Sequence, residues 1–235
     1  MHISGILGAA ASGPTLHLRA TLGLHQDSAR TTTATANNDP VGSWYNQSSD
    51  RYPFSQSTSG YRPLLQTTLP SVLFDGTDDY LISTTSFTDV IGSVLVVFKT
   101  GGTAFATRGA QVLISSADNG TANNWFEIGI TSTGFVYAES NAGGTKHTVT
   151  GSTTLAVSTS YSLAVTHDGT DYYMSLSGTE ENPLVIVNIG TFAWFGDVSG
   201  ADNIVVGGTL TSAGLVRPFQ GEILELSVYA QDITS

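Results

Sequence analysis

The chain of 235 residues contains no cysteine. Disulfides and thiolate metal sites are excluded on that ground alone. A chain this long buries roughly 70–75% of the surface its unfolded form exposes, so it needs no covalent staple. Large extracellular sandwiches also do without disulfides, so the absence does not fix a compartment.

Charge is scarce as well. Charged residues make up 11% of the chain, against about 25% in an average domain. Only two of them are lysines, Lys99 and Lys146, and the formal net charge is −11. The six arginines are scattered, so no basic face is expected for nucleic acid. An acidic surface also disfavours anionic membranes. No stretch approaches the ~20 apolar residues of a membrane span. Ile3 to Ala11 is short, rich in Gly and Ala, and lacks the basic start of a signal peptide.

Helical periodicity is missing throughout. What is present is about thirteen short β-prone runs separated by turn residues. Leu16, Leu18 and Ala20 alternate with polar neighbours. Val94 to Phe98 is apolar on both faces, as in a central strand. Trp125–Thr131 and Phe135–Glu139 flank Ser132-Thr133-Gly134 as a hairpin. Phe126, Ile128 and Ile130 share one face, and Trp125 and Glu127 the other. Tyr161–Thr166 turns at Asp168-Gly169 into Tyr172–Leu176. Val72–Asp75 runs through Gly76 toward Tyr80-Leu81, and an Asp-Gly turn between two apolar runs predicts a hairpin with Phe74 and Tyr80 on neighbouring strands. In the last segment, Asn203 to Tyr229, the apolar phase slips at Leu224, which predicts a bulge or burial on both faces. These elements imply an all-β fold, two packed antiparallel sheets. Residues 1–15 read as a flexible arm and 16–235 as one domain. Gln26 to Pro40 has no period and reads as a long loop of the kind that contacts partners.

Phe74-Asp75-Gly76-Thr77-Asp78-Asp79-Tyr80-Leu81 resembles the opening strands of laminin-G-like, concanavalin A-like jelly rolls. Phe219-Gln220-Gly221-Glu222-Ile223 resembles their closing strand. Gln26-Asp27-Ser28-Ala29, Asn38-Asp39-Pro40-Val41-Gly42-Ser43-Trp44, Gln47-Ser48-Ser49 and Arg62-Pro63 resemble the lead-in to such domains in bacteriophage structural proteins. Asn46-Gln47-Ser48-Ser49 departs from that pattern where an acidic residue and Gly are usual. The resemblance covers residues 16–235. It implies a jelly-roll sandwich acting without catalysis on a virion surface, as capsid decoration or a tail adhesion module, with other virion proteins as partners and a homo-oligomer as the assembly.

Catalytic patterns do not emerge. Glycoside hydrolysis needs two facing carboxylates, and concanavalin A-like glucanases carry them as E-x-D-x-x-E on one strand. Here Glu127-Ile128-Gly129 has Gly in place of the Asp. Glu222 and Glu225 stand three apart, which on a regular strand sets them on opposite faces. His2, His17, His25, His147 and His167 form no metal motif, and His167 beside Asp168 reads as a surface turn. Two binding possibilities remain. Asp75, Asp78 and Asp79 offer the hard oxygens that calcium takes. Trp44, Tyr45, Tyr52, Trp194 and Phe195 offer aromatic surface for host glycans or a protein partner. A carbohydrate-binding module is therefore the alternative to the virion role, and a glycosidase a third reading.

Overall fold

The computed structural model describes residues 13–48, 52–187 and 193–233. Of the expected arm, residues 1–12 lie outside the described residues. Thr15 is already tied to the domain, its backbone N–H donating to the Val228 carbonyl at 2.9 Å.

Two antiparallel sheets face each other. The eight-stranded sheet runs Thr179–Glu180, Tyr172–Leu176, Ser160–His167, Gly92–Thr100, Gln220–Tyr229, Ser71–Asp75, Leu64–Gln66, with Leu16–Arg19 also paired to Gln220–Tyr229. The ten-stranded sheet runs Val185–Val187, Thr145–Thr154, Phe135–Ala142, Asn124–Ile130, Gln111–Ala117, Asn203–Val206, Leu81–Ser83, Pro53–Ser55, Ser43–Tyr45, Leu24–His25. A small hairpin, Thr209–Thr211 with Gly214–Val216, stands apart from both and packs on the ten-stranded sheet. The architecture is the expected jelly-roll sandwich.

Strict alternation builds the core between the sheets. Val94, Val96 and Phe98 meet Phe126, Ile128 and Ile130, with Ile204, Val206, Leu226 and Val228 in the same cluster. Two of the three predicted hairpins form as expected, with Ile130 opposite Val136 and His167 opposite Tyr172. Gly92–Thr100 lies inside its sheet between two long partners, as its two apolar faces required.

Two expectations are corrected. Ser71–Asp75 and Leu81–Ser83 belong to different sheets, so Asp75-Gly76 is a corner between layers and not a hairpin. The Asp-Gly signal marks a tight turn and is blind to which sheet receives the chain. The second correction concerns the faces of Glu222 and Glu225, because the expected bulge at Leu224 is present as a register shift between Ile223 and Glu225. The extra residue cancels the odd spacing, and Glu222 and Glu225 stand opposite Lys99 and Val97, two residues apart on one face. At this bulge the closing strand changes its neighbour from Ser71–Asp75 to Leu16–Arg19.

Near the ends, Arg62 of the Arg-Pro pair donates to the carbonyls of Gln56, Gln26 and Ser57 at 3.0, 3.1 and 2.9 Å. It thereby ties the start of the 26–40 loop to the domain. Asp27 and Asp39 accept backbone N–H groups of Thr32 and Ala36, at 2.9 and 2.8 Å, and shape the loop from within. Asn46 is fully buried and bonds the backbone of His17, Thr15 and Ser48, so that corner is a structural clamp.

Candidate functional site

The outer face of the ten-stranded sheet carries an unusual density of polar groups. Trp125 and Glu127 lie on strand Asn124–Ile130, Tyr137 and Glu139 on Phe135–Ala142, and Lys146 and Thr148 on Thr145–Thr154. Each pair is spaced by two, so all six side chains point away from the core. The registers place Glu127 opposite Glu139, and Glu139 opposite Thr148. Thr209 and Arg217 arrive from the small hairpin and the residue that follows it.

Arg217 is the hub. Its φ of 53° puts a non-glycine residue in the left-handed region, a conformation that persists only where surroundings enforce it. Its carbonyl accepts the Val112 N–H at 3.0 Å. Its guanidinium lies over Trp125, the Cζ 4.6 Å from the ring centroid, and Lys146 Nζ lies 5.1 Å from the same centroid. Nη1 donates to Glu127 Oε1, and to Glu139 Oε1 at 3.4 Å. Trp125 is buried by these cations and not by the core, whose cluster excludes it.

Glu127 is wholly buried. Burial pushes its carboxyl above the ordinary value, and Arg217, Tyr137 and Thr209 offset only part of that rise. Tyr137 Oη donates at 2.5 Å and Thr209 Oγ1 at 2.8 Å. Burial also drives the Tyr137 phenol well above its ordinary value, with Glu127 adding to it. For Arg217 burial works downward, but Glu127, Tyr137 and Glu139 outweigh it and the net direction is up. Glu139 is held by Lys146 at 3.1 Å and Thr148 at 2.6 Å. A buried, hydrogen-bonded carboxylate thus fixes a cation at a partly open surface.

Trp44 and Trp194 do not stand at this surface. Trp44 is fully buried and donates its indole N–H to the Arg19 carbonyl at 3.0 Å. Trp194, 1% exposed, packs among Phe126, His167, Tyr172 and Phe195. Phe195 is fully buried. None of the three offers a ring to a ligand, which corrects the expectation of aromatic platforms there. Gly196 lets the loop fold inward: it lies so close to the Thr88 carbonyl that no side chain fits. Tyr52 leans on the core beside Phe54, and Tyr45 sits under Arg30. His167 is buried too, not a surface turn.

One oxygen from each of Asp75, Asp78 and Asp79 lies within 4.8 Å of the others. Asp75 Oδ1 accepts the Thr77 N–H at 2.7 Å, and Asp79 Oδ2 the Asp75 N–H at 2.9 Å. Asp79 is pushed up to about 6, first by burial, with the charges of Asp75 and Asp78 adding to it. Hard oxygens at a corner fit calcium.

The carboxylates sought for hydrolysis are engaged. Glu222 pairs with Lys99 at 2.8 Å and accepts Ser71 at 2.6 Å, and Glu225 meets His17 at 2.9 Å. Gly129 sits at a bulge where a Cβ would lie 2.1 Å from the Gln111 carbonyl, so no Asp fits there.

Among the described residues no helix is long and apolar enough to cross a membrane. No protein-family model matches the chain, and no curated protein does. Solved structures do. The CBM40 of Ruminococcus gnavus IT-sialidase, bound to α2,3-sialyllactose, is 24% identical with a TM-score of 0.53, over 63% of this chain and 79% of that one. The NanB sialidase of Streptococcus pneumoniae is 17% identical with a TM-score of 0.56, over 69% of this chain and 26% of that one. The leech intramolecular trans-sialidase is 21% identical with a TM-score of 0.51, over 60% of this chain and 22% of that one. At these identities the likeness shows the fold, an antiparallel lectin-like β-sandwich, and nothing narrower.

Proposed function

We propose that this protein is a non-catalytic glycan-binding module whose Arg217 takes the carboxylate of an acidic sugar. One observation carries the reading. Nη1 of Arg217 is used by Glu127 and Glu139, while Nη2 and Nε have no hydrogen bond among the described residues. The remaining edge of a guanidinium is a planar two-donor fork that matches a carboxylate. The side chain is 25% exposed, so the fork can be reached. Lys146 adds a second cation at the same ring. The sialyllactose held by similarly folded CBM40 structures supports the same ligand class.

Titration with 3′- and 6′-sialyllactose, with lactose as the neutral control, tests it. Binding of the two acidic glycans alone is expected. Arg217→Lys keeps a cation beside Glu127 and removes the fork, and it should lose that binding while staying folded. Equal response to lactose, or silence of the folded protein toward both acidic glycans, contradicts the reading.

Calcium at Asp75, Asp78 and Asp79 is a separate proposal, supported by their convergent oxygens. Calcium takes six to eight oxygens, so corner carbonyls and water would complete the shell. A rise in thermal midpoint with calcium, absent in Asp78→Asn, is the expected result. A virion role is a further proposal, carried by the phage-like lead-in. Copy number on purified particles tests it: parity with the major capsid protein means decoration, and a few copies mean a tail-borne adhesion module.

A further inference from the structure

On the opposite side of the molecule, the outer face of the eight-stranded sheet opens into a cleft of about 390 Å³. Its walls are Leu73 and Asp75, Gln220 and Glu222, Lys99 and Ser158, and its floor is the backbone of Gly101, Gly102 and Gly221. The register brings these together: Glu222 stands between Lys99 and Leu73, and Gln220 opposite Asp75. The floor is bare for a packing reason. At Gly101 a Cβ would strike the Gln220 side chain.

The polar walls are held in place and keep unused valences. Glu222 is fixed by Lys99 and Ser71, which leaves Lys99 two further N–H groups. Gln220 Oε1 accepts the Thr103 N–H at 3.3 Å, and its amide NH₂ has no protein acceptor among the described residues. Asp75 spends Oδ1 on the Thr77 and Asp78 N–H groups, while Oδ2 has no hydrogen bond there. The cleft thus presents one carboxylate oxygen, an amide donor, an ammonium donor and the Ser158 hydroxyl. Adjacent acceptor and donor groups match adjacent hydroxyls of a polyol, which both give and take hydrogen bonds. Lys99 and Arg108, which donates to the Asp75 carbonyl at 2.6 Å, are two positive charges against the four carboxylates of Glu222, Asp75, Asp78 and Asp79, so an anion is disfavoured. The volume lies in the range of small-ligand sites.

We infer that this cleft is a second ligand site, for a single neutral sugar residue or polyol, independent of Arg217 and of opposite charge preference. The two sites lie on the outer faces of different sheets, so one short glycan cannot fill both.

The test is a backbone-amide NMR titration of the full chain with D-galactose, D-glucose, D-mannose, N-acetyl-D-glucosamine and myo-inositol, and with D-glucuronate as the charged control. At least one neutral compound should shift the amides of Gly101, Gly102, Ser158 and Gly221, and D-glucuronate should not. Arg217→Lys should leave those shifts intact, which separates this site from the acidic-sugar site. Gly102→Leu should abolish them: a Cβ at Gly102 meets only Ser158 Oγ at 3.5 Å, so the side chain enters the cleft without striking backbone. Silence of these amides across the whole neutral panel, or shifts that persist in a folded Gly102→Leu protein, overturns the inference.

Discussion

The guanidinium of Arg217 lies 4.6 Å from the ring centroid of Trp125, and its Nη1 is paired with both Glu127 and Glu139. In a chain with eight basic residues, two of them share this one aromatic ring. Cation–π contact of this kind is worth about 0.5–2 kcal/mol, enough to orient a side chain but not to saturate it.

Removing Arg217 outright should be costly. Arg217→Ala leaves the Glu127 carboxylate buried without its cation, and breaking such a pair costs about 3–5 kcal/mol. Arg217→Lys should cost clearly less, because a charge remains. Urea denaturation of the two variants separates them, and equal losses would mean that Glu127 does not depend on the charge.

Asp79 predicts a pH signature. Its carboxyl stands at about 6 in the folded chain against an ordinary value of 3.8. A folded value above the unfolded one means that the folded state binds the extra proton, so Asp79 weakens stability as pH rises through that window. Asp79→Asn keeps an acceptor for the Asp75 N–H and removes the charge. Its thermal midpoint should exceed the parent's at neutral pH, and the gap should close near about pH 4. Added calcium should stabilise the parent most above that window, where Asp79 is ionised.

Gly129 should tolerate nothing larger. A Cβ there would stand 2.1 Å from the Gln111 carbonyl, and forcing extra atoms into a packed site costs about 1–3 kcal/mol or more. Gly129→Ala is expected to lower the denaturation midpoint by such an amount. An unchanged midpoint would show that the bulge relaxes freely.

Trp44 should act on stability alone. Trp44→Ala empties a fully buried site and ends the bond to the Arg19 carbonyl, a loss of about 3–5 kcal/mol. Glycan affinity of the folded fraction should be unchanged, and a selective loss of affinity would return Trp44 to the binding site.

Local pattern carried the sandwich. Alternation in Tyr161–Thr166, the Ser132-Thr133-Gly134 loop and the phase slip at Leu224 each name a feature that the structure contains. The slip at Leu224 is legible in the sequence, and one added residue reverses every side chain beyond it, which brings Glu222 and Glu225 to one face. The Asp75-Gly76 corner misled, since a turn signal holds no information about the layer that follows. Trp44 and Trp194 looked available because sequence shows neighbours in the chain and not the loops folded over them. The Arg217 site could be half seen. Trp125 with Glu127, Tyr137 with Glu139 and Lys146 with Thr148 repeat a polar or aromatic pair at spacing two on three successive strands. Arg217 itself, 90 residues from Glu127, reaches them only through the packing of the small hairpin.

The most direct test is the indole N–H resonance of Trp125 during titration with 3′-sialyllactose. A ligand carboxylate on the free edge of Arg217 must alter the cation lying on that ring, while the indoles of Trp44 and Trp194 are sealed in the interior. A saturable shift of the Trp125 signal alone, absent with lactose and lost in Arg217→Lys, is the predicted result. A Trp125 signal that stays fixed while the protein binds sialyllactose, or that moves equally with lactose, would contradict an acidic-sugar site at Arg217.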